Sequence, residues 1–420
     1  MPAIEPSGDG PAVVAHIGEP KTGTTHFQEI VWRNRPALAA AGLNMAGHSV
    51  ADQFRAMQDL RGLPPEADDP GGSWVGEWDV LAAQARRARR IALISQESIA
   101  AADADRVGHA VRSLGPDVHV VLTVRDFASL LPAEWQETVK HRRTRGWTDW
   151  LATVRATEPA AGTRPAWGFW RVHDTPEVLR IWSRFVPADR LHVVTMPRRG
   201  SDPDVLWHRL AGLLGVDGVD VDTGVRANSS LGLSETEFLR RLNPALEGRV
   251  PNWFYAREVK HVLAHGVLAA RPSPSRPTLP ADVADWASAR SEAVIEYLRS
   301  SGVDVVGDLD ELVPAPERPA ADPDREAGIA TVDDQLDAAV QSLAALVERS
   351  HRRAVRERAA GSDRTATGLA MDVVRRSPRL TRAVRRLGTR PGGAWTRVAA
   401  WRAHEASVAR QGARRDTRTH

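Results

Sequence analysis

The chain has 420 residues, of which 42% are hydrophobic, and it contains no cysteine. This length and apolar content predict a globular protein with a large core. The lack of cysteine excludes disulfides, thiolate nucleophiles and cysteine-ligated metal sites. The first residues lack a basic segment followed by an apolar one, and no run approaches the ~18 apolar residues of a membrane span. We therefore expect a cytoplasmic protein.

Charge is distributed unevenly along the chain. Residues 373–420 contain 13 arginines and only two acidic residues, a net charge of +11, whereas the rest of the chain carries a net charge of −8. A basic tail of this kind is typical of segments that contact anionic surfaces such as nucleic acid or lipid, and also of a simple solvated extension. Aromatic residues are not interleaved as in base-stacking segments, so the tail carries no firm nucleic-acid signal.

The first 215 residues alternate short apolar runs with segments of helical periodicity. The predicted strands are 12–17, 91–95, 117–124 and 191–196. Strands separated by helices predict an α/β fold, with a P-loop-like, mainly parallel sheet flanked by helices. Ligands of such sheets bind beyond the carboxyl ends of the strands, which directs attention to residues 18–25, 96–98 and 125 onward.

After residue 215 the strand signal fades and helical patterns predominate. The predicted helices in this part are 234–246, 252–270, 281–301 and 333–358. Proline-rich stretches at 272–280 and 314–323 are typical of linkers. We therefore predict an α/β domain over 1–313, a linker over 314–332 and a helical, partly disordered basic extension over 333–420.

A glycine-rich segment, Gly-Glu-Pro-Lys-Thr-Gly-Thr-Thr, follows the first predicted strand at residues 18–25. The amides of such a loop and the positive end of the next helix converge on an anion, so the segment predicts a phosphate-binding loop. The spacing between Gly18 and Gly23 is that of a Walker A loop. That loop continues with Lys-Ser/Thr, whereas here two threonines follow and Lys21 precedes the second glycine. The rearrangement disfavours ATP, and a tight strand–helix turn is the simpler alternative.

Lysine is otherwise almost absent from this chain. Only Lys21, Lys140 and Lys260 occur among 56 lysines and arginines, so a lysine within the loop is notable. An ammonium group on a flexible stem differs from the planar guanidinium in being compact and rotatable. This difference indicates that the loop needs a compact, mobile charge.

The segment Pro-Lys-Thr-Gly-Thr-Thr at 20–25 resembles the signature loop of sulfotransferases that use 3′-phosphoadenosine 5′-phosphosulfate. In that family the lysine and the backbone amides hold the 5′-phosphosulfate of this co-substrate, and no metal is needed. The resemblance extends over about residues 10–215 and implies that Lys21 also neutralises charge on the bridging oxygen as the sulfuryl group departs. The residues that it assigns to the 5′ end of the donor are Lys21, Thr22, Gly23, Thr24 and Thr25.

The same resemblance concerns the donor's 3′-phosphate, which the family binds with an arginine after a later strand and a serine eight residues further on. Arg125 stands at the first position, but Ala133 replaces the serine. Ser129 is the candidate substitute, since residues four apart lie on one face of a helix. The backbone amides at the start of this helix are further candidates. The alternative role for Arg125 is a salt bridge that closes the end of the strand.

Sulfuryl transfer needs a base that takes the acceptor's proton. Glu97, after the predicted strand 91–95, is the candidate and is expected to lie near Lys21; its alternative role is that of a carboxylate at a helix start. His16 precedes the loop and is a second catalytic candidate, or it packs beneath the loop. Further candidates on the acceptor side are His48, His141 and Asp174.

Tryptophan is frequent, with fourteen residues in the chain. Flat rings are suited to line an adenine or acceptor cleft, and core packing is the alternative use. The tryptophans considered for the cleft are Trp74, Trp78, Trp135, Trp147, Trp150, Trp167 and Trp170.

These patterns and the resemblance predict a sulfotransferase that moves a sulfuryl group from 3′-phosphoadenosine 5′-phosphosulfate to a hydroxyl or amine acceptor. The acceptor classes are a glycan, a glycolipid or a small metabolite, and neither its identity nor the oligomeric state follows from the sequence. Two alternatives stay open. One is a nucleotide-binding protein of the same fold without turnover, suggested by Ala133, and the other is a P-loop kinase with a displaced lysine.

Overall fold

The computed structural model describes residues 3–65, 73–163, 168–225, 230–271, 276–315 and 330–376, with side chains described up to residue 358 in the last range. Six strands in these ranges form one sheet in which every neighbouring pair is parallel, in the order β2-β3-β1-β4-β5-β6. The strands β1 to β6 are Ala12–Gly18, Leu43–Met45, Ile91–Ser95, Val118–Val124, Leu191–Thr195 and Asp304–Val306.

Helices connect and cover these strands. The described α-helices α1 to α14 are Thr24–Arg33, Arg35–Ala40, Val50–Leu60, Glu77–Ala85, Ala104–Leu114, Phe127–Lys140, Trp147–Ala156, Trp170–His173, Thr175–Trp182, Val205–Leu213, Leu233–Leu246, Asn252–Tyr255, Ala281–Ser301 and Val332–Arg376. Short 3₁₀ helices are Glu97–Ala101, Ala188–Arg190, Leu268–Ala270 and Leu309–Leu312. A π-helix spans Ala256–His265.

The sheet is buried on both faces because its central strands are apolar throughout. Alternate residues of β1 enter different cores: Val13 and Ile17 pack with α3 to α6, whereas Val14 packs with α1 and α10. Near-continuous apolar runs are what a doubly covered parallel sheet requires. The carboxyl ends of β1, β3 and β4 therefore open at one edge, with β1 between the other two.

The predicted fold class is confirmed, since the described sheet is parallel and flanked by helices and the chain carries a C-terminal helix. The four predicted strands match β1, β3, β4 and β5 within one or two residues. After residue 215, where the strand signal fades, one short strand is present: β6 pairs with β5 at the sheet edge. With only three half-buried residues, β6 leaves little periodic signal.

The chain divides into two compact units, Met1–Leu343 and Ala344–His420. The described part of the second unit is helical and carries exposed ion pairs four residues apart, such as Arg352–Glu348. Most of the predicted linker, at 316–329, and most of the basic tail, at 377–420, lie outside the described residues. The domain boundaries stay predictions. In the described part of the chain, no helix combines the length and apolar character of a membrane span.

Candidate active site

The glycine-rich loop connects β1 to α1 at the carboxyl edge of the sheet, and two of its glycines are required by space and backbone geometry. Gly18 has φ 87° and a Cβ there would lie 2.4 Å from the Cβ of Glu97. Gly23 has φ 80° and a Cβ there would lie 2.4 Å from Cδ2 of Leu206. Because only glycine adopts these φ values without cost, the loop depends on both positions.

Lys21 also has a left-handed backbone, with φ 65°, which is uncommon for a residue that has a side chain. Gly23 precedes the first helical residue, Thr24, and contributes no side-chain cap to α1. Within the described ranges we find no acceptor for the backbone amides from Lys21 to His26. The loop and the helix start therefore present unpaired N–H groups, as an anion-binding loop does.

Beneath the loop, a hydrogen-bonded chain of buried side chains fixes its position. The Thr22 hydroxyl bonds to the Glu19 carbonyl and lies 2.5 Å from the Thr123 hydroxyl. Nε2 of His16 lies 3.4 Å from the Thr123 hydroxyl, and Nδ1 lies 2.8 Å from the Ser95 hydroxyl. Burial lowers the pKa of His16 to about 4, so the ring is neutral. This placement favours the packing alternative for His16, and it leaves Thr22 to contribute its backbone amide.

A second buried support holds the loop from the side. Glu19 is 1% exposed, accepts a hydrogen bond from Thr175 and lies 3.2 Å from Nδ1 of His173. Glu134 lies 3.7 Å from the other ring nitrogen. Burial alone would lower the pKa of His173, but the carboxylates of Glu134 and Glu19, the latter at hydrogen-bond distance, outweigh it and raise the pKa to about 9. His173 is therefore a buried cation that ties the loop to α6.

The side chain of Lys21 points to Glu137, near the end of α6, and forms an ion pair with it. Lys140 and Lys260 each place their ammonium 2.8 Å from the same carboxylate. His141 lies 3.2 Å from it through Nε2. All three lysines of the chain therefore meet at one glutamate. We call Lys21, Lys140 and Lys260 with Glu137 the lysine cluster.

The lysine cluster changes the charge behaviour of its members. Burial would raise the pKa of Glu137, but the charges of the three ammonium groups hold it well below its usual range. Burial and the charges of the other two lysines lower the pKa of Lys140, although Glu137 opposes this. Glu137 is thus a firmly ionised, fully engaged carboxylate. Such a group is a weak proton acceptor.

Glu97 begins the 3₁₀ helix after β3 and packs against Gly18 at the start of the loop. Its Oε2 accepts a hydrogen bond of 3.3 Å from Gln28, which also donates to the Ser95 carbonyl at 3.0 Å. The described contacts of Lys21 lead to Glu137 and not to Glu97. Glu97 therefore adjoins the loop at Gly18 and retains acceptor capacity on its carboxylate.

Arg125 follows β4 and reaches the loop, with Nη1 3.5 Å from the Lys21 carbonyl. Asp126 is the N-cap of α6 and accepts a hydrogen bond of 2.8 Å from the Ser129 amide. The Phe127 amide is also engaged, at 3.1 Å by Ser291. Arg125 precedes the helix cap, so the four-residue spacing does not by itself align it with Ser129. Two of the amides proposed for an anion are already satisfied.

Two further arginines interact electrostatically with Arg125. Burial lowers the pKa of Arg125, and the charge of Arg199 adds to this while Asp126 opposes it. Burial likewise lowers the pKa of Arg276, with the charges of Arg199 and Arg125 in the same direction. Like charges affect each other in this way only at short range. We call Arg125, Arg199 and Arg276 the arginine cluster.

Two acceptor-side candidates remain, His48 and Asp174, and Asp174 adjoins His173 and Thr175, which hold Glu19. His48 is exposed at the start of α3 and its amide bonds to Asp52, and Asp174 is a buried N-cap residue whose pKa burial raises. The tryptophans considered for a cleft and described by the structure are buried: Trp74, Trp78, Trp135, Trp147, Trp150 and Trp170. Trp167 lies outside the described residues. In the described part of the chain no group of three or more metal-ligating side chains is found.

Several residues of this site escaped the sequence reasoning. They are Glu19, Glu137, Lys140, Lys260, His173, Arg199 and Arg276. The one available signal was the scarcity of lysine, which pointed to Lys21 and applied equally to the other two. His141, a minor candidate from the sequence, proves to lie within the lysine cluster.

No family model and no curated protein matches the chain. Among solved structures the chain is similar to a sulfotransferase from Alicyclobacillus acidocaldarius, with 15% identity over 60% of this chain and 96% of that one, and a TM-score of 0.35. A similarity of this size assigns neither a family nor an activity to this chain.

Proposed function

We propose that this protein is a sulfotransferase that moves a sulfuryl group from 3′-phosphoadenosine 5′-phosphosulfate to a hydroxyl or amine acceptor. One observation carries the proposal: the loop after β1 lies between two basic clusters that meet at Lys21. Its ammonium belongs to the lysine cluster, and its carbonyl contacts Arg125 of the arginine cluster. A donor with charged groups at both its 5′ and 3′ positions needs two such regions.

The 5′ end of the donor fits the loop. Lys21 and the unpaired amides of residues 21–26 offer a positive, backbone-lined cradle, which the positive end of α1 reinforces. Thr25 is exposed there and adds a hydroxyl, whereas Thr24 is buried. These groups are fixed before the ligand arrives and are suited to stabilise charge as it develops on the donor's phosphate.

The 3′-phosphate fits the arginine cluster. Arginine offers planar, forked donors that match phosphate oxygens. Burial is the larger cause of the lowered pKa values of Arg125 and Arg276, and the neighbouring guanidinium charges add to it. A bound phosphate would offset this repulsion. Arg276 supplies a charge that the local sequence pattern does not reveal. The Ser129 hydroxyl remains the proposed further partner of this phosphate.

Glu97 is the proposed base. The acceptor's oxygen or nitrogen forms a bond to sulfur, Glu97 takes its proton, and the bond from sulfur to the bridging oxygen breaks. The electron pair stays on the 5′-phosphate, giving adenosine 3′,5′-bisphosphate. Glu97 is favoured over Glu137 because Glu137 is engaged by three ammonium groups, while Gln28 is the described partner of the Glu97 side chain.

The deciding experiment measures binding of adenosine 3′,5′-bisphosphate by calorimetry, followed by transfer from labelled donor. Lys21→Ala is expected to weaken binding by about tenfold or more, since it removes a charged hydrogen bond. Arg142→Ala is the matched control, because Arg142 also has a left-handed backbone, with φ 67°, and bonds instead to Asn252 and Val250. Equal binding by the native protein and Lys21→Ala would overturn the proposal.

Two outcomes would favour a different function. Tight binding of the bisphosphate without transfer to a broad acceptor panel would favour a nucleotide-binding protein without turnover. The engagement of Lys21 by Glu137 in this structure is the observation behind that alternative. Magnesium-dependent binding of ATP in preference to the bisphosphate would favour a kinase.

A further inference from the structure

The proposed donor site uses Lys21 but leaves two lysines unexplained. Lys140 and Lys260 lie far apart in sequence, on α6 and on the π-helix Ala256–His265, and yet both ammonium groups contact Glu137. A chain that uses arginine almost everywhere else keeps its only other lysines at this one point. We therefore looked for a function of Lys140 and Lys260 that is separate from donor binding by Lys21.

The lysine cluster carries more positive than negative charge. Three ammonium groups share one carboxylate, so these four groups carry two more positive than negative charges. The Lys140 side chain is only 7% exposed, so water compensates it poorly. Burial lowers the pKa of Lys140, Glu137 raises it, and the charges of Lys21 and Lys260 lower it further. An added anion would relieve this surplus.

The histidines around the cluster fit the same interpretation. Nε2 of His141 lies 2.7 Å from the Lys260 ammonium, and the rings of His261 and His265 are stacked with centroids 6.0 Å apart. Burial and the charge of Lys140 lower the pKa of His265 to about 4, with Glu137 opposing them. The neutral ring of His265 adds hydrogen-bonding groups without adding charge.

The backbone that carries Lys260 is itself unusual. Residues 256–265 form a π-helix, a rare conformation that occurs frequently at functional sites. Lys260 and His265, five residues apart on this helix, both interact electrostatically with Lys140. Lysine suits such a site, because a compact ammonium with rotatable N–H groups adapts to an oxygen ligand of any orientation.

We propose that Lys140 and Lys260 form an anion site that receives a negatively charged group of the acceptor, a carboxylate, sulfate or phosphate ester. The inference rests on the proposed function, because it takes Lys21 as the point where the donor's 5′ end meets this site. The acceptor would then be an acidic molecule, bound through its charge, whose hydroxyl or amine faces the donor. A neutral acceptor would leave the surplus charge uncompensated.

The test titrates inorganic sulfate into protein saturated with the intact donor, at constant ionic strength. Saturation fills both the 5′ loop and the position of the transferred group, so any remaining sulfate binding that depends on Lys140 or Lys260 lies on the acceptor side. Lys140→Gln and Lys260→Gln are expected to weaken sulfate binding by about fivefold or more each. Arg257→Gln is the matched control: it removes one charge from the same π-helix, where Arg257 pairs with Glu258 outside the cluster.

The outcomes separate this inference from the proposed function. Absence of sulfate binding by the saturated protein, or equal binding by all variants, overturns the acceptor site. If both lysine variants weaken donor binding as strongly as Lys21→Ala does, the lysines belong to the donor site, and the inference fails while the function stands. If the native protein does not bind the donor, the proposed function fails first.

Should Lys140→Gln prove unstable, Lys260→Gln carries the test. Its side chain is more exposed, at 20% against 7%, so the fold depends on it less. Sulfate binding by Lys260→Gln equal to that of Arg257→Gln would overturn the inference on its own.

Discussion

The lysine cluster and the arginine cluster are both basic and both touch Lys21, but they balance their charge differently. In the lysine cluster Glu137 accepts ion pairs from all three ammonium groups. In the arginine cluster the nearest described carboxylate is Asp126, whose Oδ2 is 4.0 Å from Nε of Arg125 and which also caps α6. One cluster is therefore held together by an internal anion, and the other lacks such a centre.

This difference indicates different uses. An internal carboxylate competes with a ligand, so the lysine cluster suits an anion that binds and leaves, or one that varies between ligands. Guanidinium groups without a shared carboxylate are suited to hold a fixed, doubly charged phosphate through forked hydrogen bonds. Substitutions in the two clusters should therefore have different effects on stability and on ligand binding.

The largest effect is expected when the internal anion is removed from the lysine cluster. Glu137→Gln keeps the shape of the side chain but leaves three ammonium groups without a carboxylate. Breaking a buried ion pair on one side costs about 3–5 kcal/mol, and we expect a loss of this order in the free energy of unfolding, measured with urea. Added sulfate should restore part of the loss in Glu137→Gln by replacing the missing charge.

The control for this prediction is Glu348→Gln. Glu348 pairs with Arg352 on an exposed helix surface, where an ion pair contributes less than about 1 kcal/mol. Equal destabilisation by both variants, or no rescue by sulfate, would mean that Glu137 does not neutralise the cluster.

The next effect concerns the loop that both clusters share. His173 has a pKa of about 9 in the folded protein, above its ordinary 6.5, so its stabilising contribution is complete below pH 6.5 and is lost as the pH rises through 9. Linkage predicts a loss of about 2–3 kcal/mol in the free energy of unfolding between pH 7 and pH 10. Denaturation of the native protein and His173→Gln across this range should give curves that converge at high pH. Parallel curves would show that His173 is not charged.

The third effect separates the two ends of the donor. Arg125→Gln and Arg276→Gln should each weaken binding of adenosine 3′,5′-bisphosphate by about tenfold or more, because each removes a charged hydrogen bond. Binding of adenosine 5′-monophosphate, which lacks the 3′-phosphate, should change little. Arg198→Gln is the control, since Arg198 neighbours Arg199 in sequence and donates to the Asp310 carbonyl instead. If both substitutions weaken the binding of both nucleotides equally, the arginines do not bind the 3′-phosphate.

The central strands and the loop could be predicted from the sequence because each depends on a local pattern of residues. Apolar runs identified β1, β3, β4 and β5, and a glycine-rich segment after β1 identified the loop. The three-residue strands β2 and β6 are too short for a periodic signal, and their pairing with β3 and β5 is set by the tertiary fold.

The two clusters did not follow from the sequence for a related reason. Lys260 and Glu137 are separated by more than one hundred residues, and no local spacing connects them. The expected alignment of Ser129 with Arg125 assumed one continuous helix, whereas Asp126 caps the helix after Arg125. The composition did give a hint, because lysine occurs only three times in the chain and all three lysines contact Glu137.

The smallest effect concerns the left-handed backbone of Lys21. Lys21→Ala and Lys21→Gly both remove the ammonium from Glu137, but glycine adopts φ 65° freely and alanine does not. After allowance for the greater flexibility of glycine in the unfolded chain, Lys21→Gly should be more stable than Lys21→Ala by about 0.5–1 kcal/mol. Thermal unfolding of the two variants measures this difference. If Lys21→Ala is equally stable, the loop relaxes without its lysine, and the left-handed conformation is imposed by the ion pair with Glu137. If the predicted order holds, the backbone is set by the loop itself, and the lysine is retained for its charge at a position where glycine would fold better.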